Sequence, residues 1–322
     1  MSGDVTIDAR GLKKSYGSVT ALEDLTYTAT SGEILGFLGP NGAGKTTAIR
    51  VLTTILAPTA GSFAIAGLPH DQDAEIRRRI GVLPESAGYP EHQAGEEFLR
   101  YHARLFGQSR ASASATATAL LAEVGLSERG MSPISTYSRG MKQRLGIARA
   151  LVNEPAVVFF DEPTLGLDPA GQRQILRLVQ SIARERGATV VLSTHFLAEV
   201  EETCTRVLIL SRGRVVADGT VDEVSRRAAA PRRGRFRVPA DQRGAAVSAL
   251  AGVPAIAAAE AADSQPDWVT VTLAEGSDRG GGFQSQITAA IQALSDAQVP
   301  LLGFELESAR LSDAFLSVTE GD

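Results

Sequence analysis

The sequence predicts a largely parallel α/β sheet covered by helices on both faces, followed by a smaller α+β domain. Three observations carry this. Short apolar runs suited to buried strands, such as residues 157–160 and 189–193, alternate with helical stretches. A glycine-rich loop separates an early apolar run, residues 33–38, from a helix. At 322 residues the chain is long for one ordinary domain, and its composition shifts at residues 226–237.

The elements follow in order. Residues 5–9 alternate like a strand. Residues 33–38 feed the glycine loop, and residues 48–56 read as a helix. Residues 61–66 and 81–83 predict further strands, and residues 95–106, 116–124 and 141–152 predict helices. A buried strand at 157–160, an amphipathic helix at 172–183 and a second buried strand at 189–193 come next. Residues 207–210 and 215–217, split by Ser211-Arg212-Gly213, predict a hairpin. The strand-rich start and this hairpin predict antiparallel structure at the edges of the sheet.

The first domain is expected to span residues 1–226, with a helical part at about 86–153. Residues 227–235 read as a basic linker, in which Ala228-Ala229-Ala230-Pro231 lies between arginines. A solvated linker is the simpler reading of that charge; contact with anionic lipid headgroups is the functional one. Residues 236–322 then form the small domain: strand, helix (244–250), strand (268–273), helix (286–294) and strand (301–306), with a closing helix at 311–318. That order predicts an α+β sandwich and is compatible with a ferredoxin-like arrangement. Gly280-Gly281-Gly282 lacks the Lys and Thr of a phosphate site and reads as a loop.

Composition excludes several classes. Hydrophobic content of 43% and charged content of 21% are those of a globular chain. A net charge of −5 gives no reason to expect a nucleic-acid partner. The single cysteine, Cys204, excludes an internal disulfide and suits a reducing compartment; it reads as a small buried residue on a helix. The four histidines and one cysteine form no metal-ligand spacing. The opening residues, with Asp4 and Asp8, predict no signal peptide, and no apolar run reaches the roughly 20 residues of a membrane span.

Gly39-Pro40-Asn41-Gly42-Ala43-Gly44-Lys45-Thr46 fits the pattern G-x-x-x-x-G-K-[ST], with Thr47 following, between an apolar strand and a helix. The glycines let the backbone turn its N–H groups inward to form an anion nest. The helix behind adds unpaired N–H groups and roughly +0.5 charge. Lys45 sets a point charge on the β- and γ-phosphates, and the Thr46 hydroxyl suits Mg²⁺. Alone, this loop does not separate a kinase, a GTPase and a transport ATPase.

Val157-Val158-Phe159-Phe160-Asp161-Glu162 is a buried strand ending in two acids. Side chains alternate along a strand, so adjacent acids at its tip can do different work. Asp161 is expected to hold Mg²⁺ and Glu162 to take a proton from, or orient, the attacking water. His195 ends a third apolar run, and in a parallel sheet it would sit beside the other strand ends, within reach of a γ-phosphate.

These residues, together with Tyr137-Ser138-Arg139-Gly140-Met141, resemble the ATP-binding subunits of ABC transporters over roughly residues 5–226. The resemblance implies an ABC-type ATPase domain of the P-loop NTPase fold, with ATP and Mg²⁺ bound. Ser138 and Gly140 match the family's Leu-Ser-Gly-Gly-Gln signature, whereas Tyr137, Arg139 and Met141 depart from it. In the family, that serine and glycine bind the γ-phosphate held by a second subunit. Tyr16 would stack on adenine, and Asp168 would lie at the dimer interface. Glu85 stands where the family usually has glutamine; it would offer an oxygen to Mg²⁺ or water, with added negative charge. The segment 86–107 would meet a membrane subunit.

Pro84-Glu85, the Tyr-Ser-Arg-Gly-Met signature and the extra C-terminal domain resemble the ABC-2 exporter branch, which includes antibiotic- and multidrug-resistance exporters. The ending Leu311-Ser312-Asp313-Ala314-Phe315-Leu316-Ser317-Val318-Thr319 is similar to that branch's Leu-Glu-Asp-Val-Phe-Leu ending, a looser likeness than that of the nucleotide motifs. The resemblance implies a homodimeric ATPase on the cytoplasmic face of the membrane, held there by a separate ABC-2 permease, with no nucleic acid involved. A soluble ABC ATPase acting on DNA or ribosomes is the first rival. Its members carry long coiled coils, zinc cysteines or two fused ATPase halves, none of which this sequence has. A regulatory module with vestigial hydrolysis is the second, and the intact Glu162 and His195 argue against it.

Overall fold

The structure, a computed structural model, describes residues 4–227, 233–261, 265–273, 282–307, 311–312 and 315. The chain divides into two compact units, Met1–Val224 and Ser225–Asp322.

The first unit opens with strands β1 (Val5–Tyr16), β2 (Val19–Thr30) and β3 (Ile34–Leu38), and then helix α1 (Lys45–Leu52). Next come β4 (Ala60–Ile65), β5 (Leu68–Pro69), α2 (Asp73–Arg79) and β6 (Ile80–Leu83). Three helices follow: α3 (Gly95–Leu105), α4 (Arg110–Glu123) and α5 (Arg139–Ala150). The chain returns to the sheet as β7 (Val157–Asp161), α6 (Pro169–Arg186), β8 (Thr189–Thr194) and α7 (Leu197–Thr203). It continues through β9 (Arg206–Ser211) and β10 (Arg214–Thr220) into α8 (Val221–Arg227), a helix in which the first unit ends at Val224.

The ten strands form one sheet in the order β5-β4-β1-β2-β10-β9-β3-β8-β7-β6. From β9 to β6 the pairings are parallel. β1, β2, β4 and β5 pair antiparallel at the other end. Every residue of β3, β7 and β8 is buried, as expected for central parallel strands covered on both faces. The β9–β10 hairpin turns through Arg212 (φ 46°) and Gly213 (φ 80°), the two positive φ values that suit a tight turn between twisted strands.

Register brings the site together. Leu38 of β3 lies opposite Thr194 of β8, Asp161 of β7 opposite Ser193, and Leu83 of β6 opposite Phe160. The ends of four parallel strands therefore meet at one edge, where ligands bind in such sheets. On the far side, α5 runs close under β6: a Cβ on Gly81 would fall 2.0 Å from the Ala150 carbonyl oxygen.

The second unit contains β11 (Arg233–Arg237), α9 (Arg243–Ala251), β12 (Ile256–Ala261), β13 (Trp268–Leu273), α10 (Gly282–Asp296) and β14 (Gly303–Glu307). Its sheet order is β12-β13-β11-β14, all antiparallel. This βαββαβ chain path is the ferredoxin-like one. Phe236, Leu250, Val269, Val271, Ala290 and Leu294 share one core, so both helices cover the same sheet face.

Several boundaries differ from the sequence reading. The first strand runs on to Tyr16 and pairs with β2, which the sequence did not reveal. The helix after the glycine loop begins three residues earlier than expected and stops at Leu52. The basic stretch is not all linker, because β11 takes it up from Arg233. There the Arg237 guanidinium lies 2.7 Å from Asp267, and Arg235 sits over the Trp268 ring at 4.6 Å. Gly280 and Gly281 lie outside the described residues, as does most of the expected closing helix; Leu311, Ser312 and Phe315 are helical.

Candidate nucleotide site

The glycine loop runs from the end of β3 into α1. Gly44 precedes the first helical residue with φ 103°, and a Cβ there would fall 2.6 Å from the Ala21 carbonyl oxygen. Only glycine combines that left-handed backbone with such a close approach. Lys45, buried to 6% exposure, folds back along the loop. Its ammonium donates to the carbonyls of Gly39 at 2.7 Å and Pro40 at 3.3 Å, and lies 3.8 Å from Glu162 Oε1. Burial pushes the Lys45 pKa below its ordinary value, while Glu162 and Asp161 act against that shift.

β7 delivers the two acids, but not by strand alternation as the sequence suggested. The strand ends at Asp161, and Glu162 turns away with φ 49°, a left-handed conformation uncommon outside glycine. Ser193, fully buried on β8, holds both. Its hydroxyl donates to Asp161 Oδ1 at 2.5 Å and accepts from the Glu162 N–H at 3.1 Å. The Glu162 N–H also reaches the Ser193 carbonyl at 3.1 Å. The Thr46 hydroxyl donates to Asp161 Oδ1 at 3.3 Å. Two hard oxygen donors thus stand side by side, the chemistry that suits Mg²⁺ with water and phosphate completing its octahedron. His195 places Nδ1 2.9 Å from Glu162 Oε2.

Asn41 to Thr47, Glu85, Glu162 and His195 line one open cavity of about 470 Å³, together with Ala21 and Leu165. Tyr16 is not among them: it stands exposed on the β1–β2 hairpin, with the Lys14 ammonium 5.4 Å from its ring centre. Ser138, Arg139, Gly140 and Asp168 line a different cavity of about 590 Å³. Ser138 caps α5, its hydroxyl oxygen accepting from Met141 N–H at 3.2 Å, which leaves its proton free to donate. Asp168 caps α6 by accepting from Gly171 N–H at 3.2 Å. Tyr137 is buried, and its hydroxyl donates to the Arg129 carbonyl at 2.6 Å, which fixes the start of α5. The Arg139 guanidinium packs against Gly166: a Cβ there would fall 2.5 Å from its central carbon.

One chain therefore carries a phosphate cradle with two acids and a histidine in one place, and a serine-capped helix start in another. The family described as ABC transporter matches residues 22–165. Over 99% of its length the chain is 35% identical to the daunorubicin resistance ATP-binding protein DrrA3 of Streptomyces coeruleorubidus, covering 97% of that protein. The chain belongs to the ABC transporter family.

It is an ATP-hydrolysing subunit of that family. It is also 40% identical to the Nod factor export ATP-binding protein I of Paraburkholderia xenovorans, over 67% of this chain and 71% of that one. With the bacitracin transport ATP-binding protein BcrA of Bacillus licheniformis it shares 38% identity, over 69% and 72%. A solved ATP-binding subunit of an ABC transporter superposes with a TM-score of 0.62 at 35% identity, covering 69% of this chain and 92% of that one. A dimeric post-hydrolysis ATP-binding cassette with ADP and phosphate gives 0.61 at 25% identity, over 66% and 98%. Among the described residues, no helix is long and apolar enough to cross a membrane. The sequence reading missed Ser193, whose weak signal was a hydroxyl residue, next to Thr194, at the tip of an otherwise apolar strand.

Proposed function

We propose that the chain powers an ABC-2 type exporter as a homodimer bound to a separate permease at the cytoplasmic face of the membrane. Its cargo is a drug-like, lipid or other amphipathic molecule, the class suggested by the names of its relatives. The observation that carries the homodimer is the separation of the two walls. Ser138 and Gly140 do not line the cavity that holds Lys45, Glu162 and His195. A second copy placed head to tail would bring the one wall to the other.

In that arrangement the loop N–H groups and Lys45 hold the triphosphate, and the partner copy's Ser138 hydroxyl and α5 N-terminus face its γ-phosphate. Thr46 and Asp161 would hold Mg²⁺, which neutralises phosphate charge when bound. Glu162 takes the proton of the attacking water, with His195 keeping the carboxylate in place from its far oxygen. Glu85 lines the same cavity and sets a further carboxylate near the metal and water. Tyr16, exposed on the β1–β2 hairpin, would stack on adenine. ATP joins the two copies because its phosphates satisfy donors on both, so hydrolysis loosens the pair and drives the permease.

Glu162→Gln tests this. It keeps an oxygen for His195 but accepts no proton, so turnover should fall by roughly 10²–10⁴-fold. ATP affinity should be retained, and ATP-bound dimers should accumulate on gel filtration. Near-normal steady-state hydrolysis would sink the general-base role.

A further inference from the structure

The segment that carries His195 is fixed by a carboxylate the mechanism does not use. Glu199, on α7, is only 6% exposed. No Lys or Arg pairs with it among the described residues, and its Oε1 has no hydrogen-bond partner. Burying a carboxylate without a cation works against folding, so stability does not explain its place.

Its other oxygen has a specific task. Glu199 Oε2 accepts from the Thr194 hydroxyl at 2.7 Å. That same hydroxyl oxygen accepts from the Phe196 N–H at 3.1 Å. Thr194 is the last residue of β8, fully buried, and Phe196 caps the start of α7. The Thr194 hydroxyl, oriented by the Glu199 carboxylate, therefore links the residues on both sides of His195. The backbone of His195 has little freedom left, and its ring rests against Phe196 with centroids 4.0 Å apart.

We infer that Glu199 is a positioning residue for hydrolysis. Through Thr194 it fixes the turn that aims His195 at Glu162, and it does so while one of its buried oxygens stays without a hydrogen bond. This rests on the reading of Glu162 and His195 as the hydrolytic pair. Glu199 touches neither nucleotide nor metal, so its loss should appear in turnover and not in binding.

The test uses the full-length protein under dimerising conditions. Glu199→Met keeps the side chain's length and helix preference but removes both oxygens. Turnover should fall about tenfold, the scale of a small misplacement in a catalytic group. ATP affinity should stay within about twofold of wild type, because no ligand of the phosphates has moved. The melting temperature should hold or rise. Glu199→Gln retains an acceptor for Thr194 and should restore most of the turnover. Thr194→Val breaks the same link from its other end and also removes the acceptor of the Phe196 N–H, so it should lower turnover at least as much as Glu199→Met, again with ATP affinity within about twofold; this keeps the inference testable if Glu199→Met folds poorly. In a His195→Ala background, Glu199→Met should cause no further loss, since coupled residues are not additive. Full turnover in both Glu199→Met and Thr194→Val, or equal losses with and without His195, would overturn the inference. Wild-type turnover in His195→Ala alone would instead overturn the hydrolytic pair, and the inference with it.

Discussion

Ser193→Ala probes the contact on which the two acids depend. The serine is fully buried and its hydroxyl does two things at once. It donates to Asp161 Oδ1 at 2.5 Å, and it accepts from the Glu162 N–H at 3.1 Å. After the change Asp161 keeps only the longer bond from Thr46, at 3.3 Å, while the Glu162 N–H retains the residue 193 carbonyl at 3.1 Å. The loss is therefore close to one hydrogen bond to a charged group, about 1.5–3 kcal/mol in a buried setting. Taking about 2 kcal/mol, and about 2–4 °C per kcal/mol for a domain of this size, the melting point should fall by about 4–8 °C. Differential scanning calorimetry reads this on the transition that ATP shifts upward, since a ligand bound only by the folded form stabilises it. Turnover should drop as well, because the left-handed turn at Glu162 loses one of its two anchors, and a misplaced base is slow. An unchanged transition together with unchanged turnover would refute the claim that Ser193 organises the acids.

Two further outcomes follow from packing and burial. Gly39→Ala should abolish nucleotide binding measured by fluorescent-analogue titration, because the new Cβ would lie 2.4 Å from the Leu210 carbonyl oxygen and 2.9 Å from Ala43 Cβ; neither is a flexible tip that can move aside. Cys204 is buried with its thiol pKa pushed up to about 12, so it should resist a thiol reagent at pH 8 in the native protein and react on unfolding.

The parts of the fold legible in the sequence are those whose physics is local. β3, β7 and β8 are buried along their whole length, so each is dominated by a short apolar run, and the glycine loop declares itself by its spacing. β2 escaped because its buried residues are scattered among charged and hydroxyl ones, and its pairing with β1 slips register several times. Helix α2 buries only Ile76 and so shows no apolar stripe. β12, Ile-Ala-Ala-Ala-Glu-Ala, has little intrinsic strand preference and depends on β13. Function followed the same division. Lys45 and Glu162 are visible from their motifs, whereas Ser193 and Glu199 act through contacts that only the folded sheet creates. Asp161 and Glu162 do lie together at the tip of β7, but what separates their directions is a left-handed turn at Glu162, not the strand's pleat.

The backbone at Gly166, against which Arg139 packs, constrains how this protein can change over time. The guanidinium occupies the space that any side chain at residue 166 would need, and the backbone there has φ 71°, which already favours glycine. A side chain at 166 would displace the guanidinium, but that is the tip of a flexible, exposed arginine and can swing aside; the left-handed backbone is the firmer constraint on residue 166. Residue 166 is therefore held to glycine by its own backbone, while residue 139, 27 positions away in sequence, is free to change without it.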